Sequence, residues 1–218
     1  NFPVSFVGHP LIDAIHQREK ISKEAFLTEN QLEKKPIIAL LPGSRKQEIT
    51  KMLSVMLSVT EAFPNYQFVI AGAPGQEYEV YQPFLKPQVH YLNNKTYDLL
   101  AHAEAALVTS GTATLETALY KVPEVVCYRG NWFSYQIAKR VITLKYISLV
   151  NLIMDKEVVK ELIQNELNTK NLIAELNKLL DVNKRQELLK NYNLLEQKLG
   201  GTGASTKTAQ KIVKSLSK

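Results

Sequence analysis

The chain has 218 residues but only one cysteine and one tryptophan. It also lacks any apolar run of roughly 18 residues, so no membrane-spanning helix is expected. Cys127 alone excludes an internal disulfide and cannot build a zinc site by itself. There is no Asp-x-Asp pair to hold a metal, no Gly-x-Gly-x-x-Gly fingerprint and no glycine-rich loop ending in Gly-Lys-Ser/Thr. These absences disfavour metal-dependent, NAD-dependent and P-loop chemistry. Zinc-finger spacing and aromatic RNA-binding motifs are missing too, so no nucleic acid partner is expected. The single cysteine fits a reducing cytoplasm, and no secretory signal is found. The chain starts at Asn1 without a methionine, and further sequence ahead of it is expected.

What is present is ordinary for a globular protein, with 45% hydrophobic and 22% charged residues. The net charge of +6 is unevenly placed. Residues 170–218 carry ten basic and four acidic side chains, whereas the first 169 residues carry seventeen of each. The basic character therefore belongs to the tail. Lys207, Lys211, Lys214 and Lys218 share one helical face, opposite Ala209, Ile212, Val213 and Leu216. That pattern fits a solvated face or a helix lying on an anionic membrane.

Apolar periodicity predicts an alternating order of strands and helices. Strands are expected at 4–7, 37–41, 66–71, 89–91, 105–108 and 124–128, with an extended piece at 147–149. Helices are expected near 45–62, 76–85, 95–102, 112–120, 132–143, 157–164, 169–180, 184–199 and 204–217. Residues 11–34 read as polar and helical with little core pattern. Such alternation implies right-handed crossovers and a Rossmann-like α/β fold, a parallel sheet with helices on both faces and a helical C-terminal tail. Three units are expected: an exit and linker over 1–35, a nucleotide-binding domain over 36–180 and tail helices over 181–218.

Two strand-to-helix turns carry the functional reading. In the first, Leu41-Pro42-Gly43-Ser44-Arg45, Gly43 permits close approach of a ligand to the backbone. Ser44 is the expected N-cap, with Gln47 completing a capping box. Arg45 can then grip a diphosphate beside the positive end of the helix dipole, or simply face solvent. In the second, Ser110-Gly111-Thr112-Ala113-Thr114 follows a buried strand. Its exposed N–H groups and hydroxyls suit a pyrophosphate without a metal. Glu116, one turn on, can accept from two ribose hydroxyls or serve as a dipole partner. Both turns fall at the carboxyl edge of the sheet, where ligands of such folds bind. Arg129 closes the 124–128 strand at that edge and is a second candidate anion contact.

These residues add up to a resemblance. The chain resembles the C-terminal, nucleotide-sugar-binding half of the lipid-A-disaccharide synthase family. It does so through Val7-Gly8-His9-Pro10-Leu11, Leu40 to Arg45 with Glu48-Ile49, and Ser110 to Glu116. Further matches are Pro123, Val125-Val126, Tyr128-Arg129, Ala138-Lys139-Arg140, Ser148-Leu149, Asn151 and Glu161 to Gln164. The family has proline where this chain has Val150.

The resemblance implies the C-terminal half of a GT-B glycosyltransferase. It implies an inverting hexosyl transfer in lipid A biosynthesis, in a Gram-negative bacterium. The donor would be UDP-diacylglucosamine and the acceptor a diacylglucosamine 1-phosphate, joined in a β-1,6 linkage without a metal or other cofactor. Arg45 would meet the phosphates, Ser110 to Thr112 the diphosphate and Glu116 the ribose, while Asn151 would line the donor site. The acceptor site and general base are expected in a preceding half, of which residues 1–10 would be the last strand and exit. This chain alone would then hold UDP without transferring sugar.

His9 is the one tempting base near the junction, although a turn histidine before Pro10 is the plainer reading. Peripheral contact with the inner membrane is expected, and pairing of two chains is left open. Other UDP-sugar users of this architecture, such as the peptidoglycan glucosaminyltransferase or a UDP-sugar 2-epimerase, remain alternatives. So does a non-catalytic UDP-binding module. Trp132, Phe133 and Tyr135 could form a platform for sugar or acyl chain, or pack into the core. Cys127, within an apolar strand, is expected to be inert.

Overall fold

A computed structural model describes residues 4–130 and 145–216. Six parallel strands form one sheet: β1 (Ile37–Leu41), β2 (Gln67–Gly72), β3 (Val89–Asn93), β4 (Ala103–Thr109), β5 (Glu124–Tyr128) and β6 (Lys160–Ile163). Their spatial order is β3-β2-β1-β4-β5-β6. The order reverses between β1 and β4, which opens a crevice at their carboxyl ends.

β1 shows how the sequence builds two faces. Its side chains alternate. Ile38 and Leu40 face α3 (Lys46–Met56), through Ile49, Met52, Leu53 and Met56. Ile37, Ala39 and Leu41 join Phe26 of α2 (Lys23–Glu29) and Leu99 and Leu100 of α4 (Thr96–His102). All five β1 residues are buried, as a central parallel strand covered on both faces requires. A third cluster forms around α5 (Thr112–Leu119), where Leu115 and Ala118 meet Val126 of β5 and Val150 of α6 (Leu149–Met154).

The tail helices are α7 (Thr169–Leu180), α8 (Val182–Lys198) and α9 (Ala204–Leu216). α7 buries Leu172 and Leu176 against the sheet, and α8 buries Tyr192 and Leu195 against the α5 cluster. α1 (Pro10–His16) ties the start of the chain to the tail. Its Asp13 carboxylate accepts from the amides of Gly203 at 2.6 Å and Ser205 at 2.9 Å. Those two backbone donors hold the Asp13 carboxyl below its ordinary range. Among the described residues, no helix is long and apolar enough to cross a membrane.

Several expectations are corrected. Residues 4–7 form no strand, because no described strand pairs with them, and Phe6 stays exposed. The 11–34 region is not poor in core, since Ile12, Phe26, Leu27 and Leu32 are buried. The helix expected over 76–85 is only two 3-10 turns, Tyr78–Val80 and Gln82–Phe84, interrupted where Pro83 lacks an amide donor. α3 stops at Met56 and tightens into a 3-10 turn, Leu57–Ala62.

The 147–149 segment is not extended throughout. Ser148 caps α6, its Oγ accepting from the Asn151 amide at 3.2 Å. Most consequentially, 157–164 is not a helix. Lys160–Ile163 is the sixth strand, registered against Val125–Tyr128. The helix expected over 132–143, with Trp132, Phe133, Tyr135 and the Ala138-Lys139-Arg140 match, lies outside the described residues, as does Lys218.

Candidate functional site

The first turn leaves β1 through Pro42 into Gly43, whose φ is +103°. A side chain there would be strained and would meet Glu48, coming within 2.8 Å of its Cγ. Glu48 fills that space and its Oε2 accepts from the Ser44 amide at 3.3 Å. The N-cap is Arg45 rather than Ser44, and it makes no side-chain cap. The expected Ser44–Gln47 capping box is therefore replaced by a bond from Glu48, three residues past the cap, to the amide just before it. Arg45 is exposed, and its guanidinium has no partner among the described residues.

The second turn leaves β4 at Thr109. Ser110 is tied at both polar groups. Its amide donates to the Cys127 carbonyl at 3.3 Å and its Oγ to the Ile147 carbonyl at 2.9 Å. Gly111 is the N-cap of α5 and offers no side chain to the helix end. Thr114 donates its hydroxyl to the Gly111 carbonyl at 2.9 Å. Among the described residues, the amides of Gly111, Thr112 and Ala113 have no acceptor. Three unpaired donors at the positive end of an uncapped helix make an anion-binding surface.

These two turns share one cleft of about 260 Å³ at the carboxyl ends of β1, β2 and β4. Gly43, Ser44 and Glu48 line one side, Ala73 and Pro74 another, and Thr109 to Ala113 with Glu116 a third. Arg45 is not among the lining residues but follows Ser44 directly. Thr109 is almost fully buried, and its Oγ1 lacks a partner among the described residues.

Glu116 is half-buried in this cleft, and Tyr97 on α4 donates its hydroxyl to Oε1 at 2.9 Å. The Tyr97 ring stacks on Tyr120 with centroids 5.6 Å apart, and the Arg18 guanidinium lies 5.1 Å from its centre. Burial, reinforced by the bond to Glu116, pushes the Tyr97 phenol up to about 12.

Besides Arg45, two further expected ligand contacts do not line the cleft. Asn151 is fully buried and all four of its amide hydrogen bonds are made within the protein. Its Oδ1 accepts from Val158 and Val159 at 2.7 and 3.0 Å, while Nδ2 donates to Val159 O and Glu161 Oε1 at 2.9 and 2.8 Å. No donor or acceptor is left for a sugar. Arg129 donates to the Leu167 carbonyl and does not line the cleft.

His9 is a turn histidine: its Nδ1 accepts from Leu11 N at 3.2 Å as the cap of α1. Cys127 is fully buried, and burial pushes its thiol up.

Sequence reasoning missed Tyr97, Thr109 and the structural role of Glu161. That carboxylate accepts from the amides of Ile147 and Ser148 as well as from Asn151. The Ser148-Leu149 and Asn151 matches thus pin Ile147, whose carbonyl in turn holds Ser110. The spacing Ser148-x-x-Asn151 was a legible capping signal; the partners Glu161 and Tyr97 lie on other elements and leave no local trace.

A family model described as Lipid-A-disaccharide synthetase matches residues 1–214. The lipid-A-disaccharide synthase of Coxiella burnetii (strain Dugway 5J108-111) is 36% identical over 224 residues, covering 99% of this chain and 58% of the relative. That of Syntrophus aciditrophicus is 37% identical over 219 residues, covering 94% and 56%. The chain thus spans little more than half the length of these curated relatives.

Among solved structures, UDP-GlcNAc 2-epimerase from Neisseria meningitidis bound to UDP-GlcNAc aligns with a TM-score of 0.63 at 18% identity, over 95% of this chain and 54% of that one. The calicheamicin glycosyltransferase CalG4 aligns at 0.54 and 19%, over 84% and 44%. These show a shared Rossmann-like, GT-B type of fold. With the fold, the two turns and the family match in agreement, the chain belongs to the lipid-A-disaccharide synthase family.

Proposed function

We propose that this chain is the donor-binding part of a lipid-A-disaccharide synthase and holds the UDP portion of a diacylglucosamine nucleotide. The observation that carries the reading is the cleft in which three unpaired α5 amides and Glu116 face the Gly43-Ser44 turn. The amides and Arg45 would take the diphosphate, and Glu116 the ribose hydroxyls. Asn151 is left out of this ligand set because its amide is fully bonded inside the protein, and Arg129 because it does not line the cleft.

In an inverting transfer, the acceptor hydroxyl of a diacylglucosamine 1-phosphate attacks the anomeric carbon as the bond to UDP breaks. Negative charge then grows on the leaving diphosphate. The fixed α5 amides and the Arg45 guanidinium would stabilise that charge where it develops, as an oxyanion hole does. We assign no general base to this chain; the base and the acceptor site would come from elsewhere in the full-length enzyme. The three units over 1–35, 36–180 and 181–218 belong to the same proposal.

Calorimetric titration of UDP tests the site. Arg45→Ala and Glu116→Ala should each weaken binding roughly tenfold, the worth of a charge-assisted contact. Wild-type affinity in both variants would overturn the assignment. Because solved neighbours include an epimerase, the full-length protein should also be offered the nucleotide sugar with and without a lipid acceptor. Disaccharide formation supports this reading, and an epimerised nucleotide sugar overturns it.

A cytoplasmic enzyme resting on the inner membrane fits the same picture. Lys207, Lys211 and Lys214 are exposed on α9, and Ile212 and Leu216 remain 55% and 81% exposed. Such a helix suits an anionic lipid surface that also carries acylated substrates. Co-sedimentation with anionic liposomes should fall when the three lysines are neutralised; unchanged co-sedimentation removes the membrane contact.

A further inference from the structure

We infer that Tyr97 is a positioning residue that presets the Glu116 carboxylate for the two vicinal hydroxyls of a ribose. This rests on the reading of Glu116 as the ribose contact.

A glutamate on a helix surface samples many rotamers, and fixing one is entropically costly. Two neighbouring hydroxyls need a carboxylate in one plane and at one depth. Among the described residues, the Glu116 side chain is held by a single donor, the Tyr97 hydroxyl, 2.9 Å from Oε1. Oε2 has no donor among the described residues and is left for the ligand, as are the spare lone pairs of Oε1.

Tyr97 is itself well fixed. It sits near the start of α4, whose Leu99 and Leu100 are buried in the core. Its ring is stacked on Tyr120, with an interplanar angle of 20°. Arg18 lies over the ring and is anchored by Asp98 at 3.1 Å. Burial and the bond to Glu116 push the phenol up to about 12, so at neutral pH the hydroxyl keeps the proton it donates. The hydroxyl thus donates into the carboxylate and leaves recognition to Glu116.

The test compares UDP with 2′,3′-dideoxy-UDP, which keeps the base and diphosphate but lacks the ribose hydroxyls. Both are titrated calorimetrically into the wild type, Tyr97→Phe, Glu116→Ala and the double variant. The wild type should prefer UDP roughly tenfold, the value of hydrogen bonds to a charged acceptor. Tyr97→Phe keeps the ring and its stacking, and should cut that preference to about threefold. Glu116→Ala should abolish it, and adding Tyr97→Phe should then change the ratio no further.

If Tyr97→Phe weakens both nucleotides equally, or lowers only the thermal midpoint followed by circular dichroism, Tyr97 is structural and the inference is overturned. If the wild type shows no preference, or Glu116→Ala retains it, the ribose reading of Glu116 fails and takes this inference with it.

Discussion

Asn151 donates to Glu161 across 2.8 Å, and that bond joins the first turn of α6 to the edge strand β6. The same carboxylate gathers the amides of Ile147 and Ser148, so one buried pair sets where the chain re-enters beside Ser110. Asn151 thus clamps the segment whose Ile147 carbonyl holds Ser110 in the cleft wall.

Asn151→Ala should therefore act first on stability. It strands the amides of Val158 and Val159, the Val159 carbonyl and part of the Glu161 carboxylate. Leaving several buried groups unpaired costs about 3 kcal/mol or more. A urea titration should show the midpoint shift. An unchanged midpoint with weakened UDP binding would restore Asn151 as a ligand contact.

Gly43 and Gly75 offer a matched comparison. Both have positive φ, +103° and +78°, but a Cβ at Gly75 meets nothing within 4 Å, whereas at Gly43 it runs into Glu48. Gly75→Ala should cost about 1 kcal/mol of backbone strain. Gly43→Ala should cost about 2–3 kcal/mol, since it adds displacement of Glu48 from the Ser44 amide. It should also weaken UDP binding. Equal midpoints for the two variants in chemical denaturation would show that Glu48 yields freely.

Glu124 opens β5 fully buried, and neither carboxyl oxygen has a partner among the described residues. Desolvation raises its pKa well above the usual carboxylate range. The folded state thus keeps a proton that the unfolded chain gives up above about pH 4.5. By linkage, stability from this group falls as pH rises through that window, with a slope of at most about 1.4 kcal/mol per pH unit. Glu124→Gln removes the slope, so its advantage over the wild type should grow from pH 5 to pH 8. Parallel stability–pH curves would contradict a buried neutral acid.

Cys127 lies in β5 with no exposed surface, and burial pushes its thiol away from the reactive thiolate. A chromogenic disulfide reagent should leave the folded protein unlabelled and react fully in denaturant. Rapid labelling under native conditions would mean that β5 is reached from outside.

The central strands were legible because β1, β2, β4 and β5 are apolar runs ending at glycine or hydroxyl residues, and both turns could be read where those runs stop. β6 was not legible. Lys160 and Glu161 stand where an interior strand would carry aliphatics, and only the edge of the sheet and the Asn151 bond make Glu161 acceptable there. Likewise the strand expected at Val4-Ser5-Phe6-Val7 has the right residue types, but a strand needs a neighbour as well as a propensity. In the site, Gly43, Ser110 to Thr112 and Glu116 announce themselves by position in a turn. Tyr97 is nineteen residues from Glu116 and reaches it only through the packing of α4 beside α5.

The first turn springs from β1, which is hydrogen-bonded to β2 on one side and β4 on the other and has no exposed residue. Amide protons of Ile38 to Leu40 can exchange with solvent only when the whole sheet comes apart. Leu41, which lines the cleft, is thus anchored to a strand that opens only with the sheet, and the Gly43-Ser44 turn is held at that end.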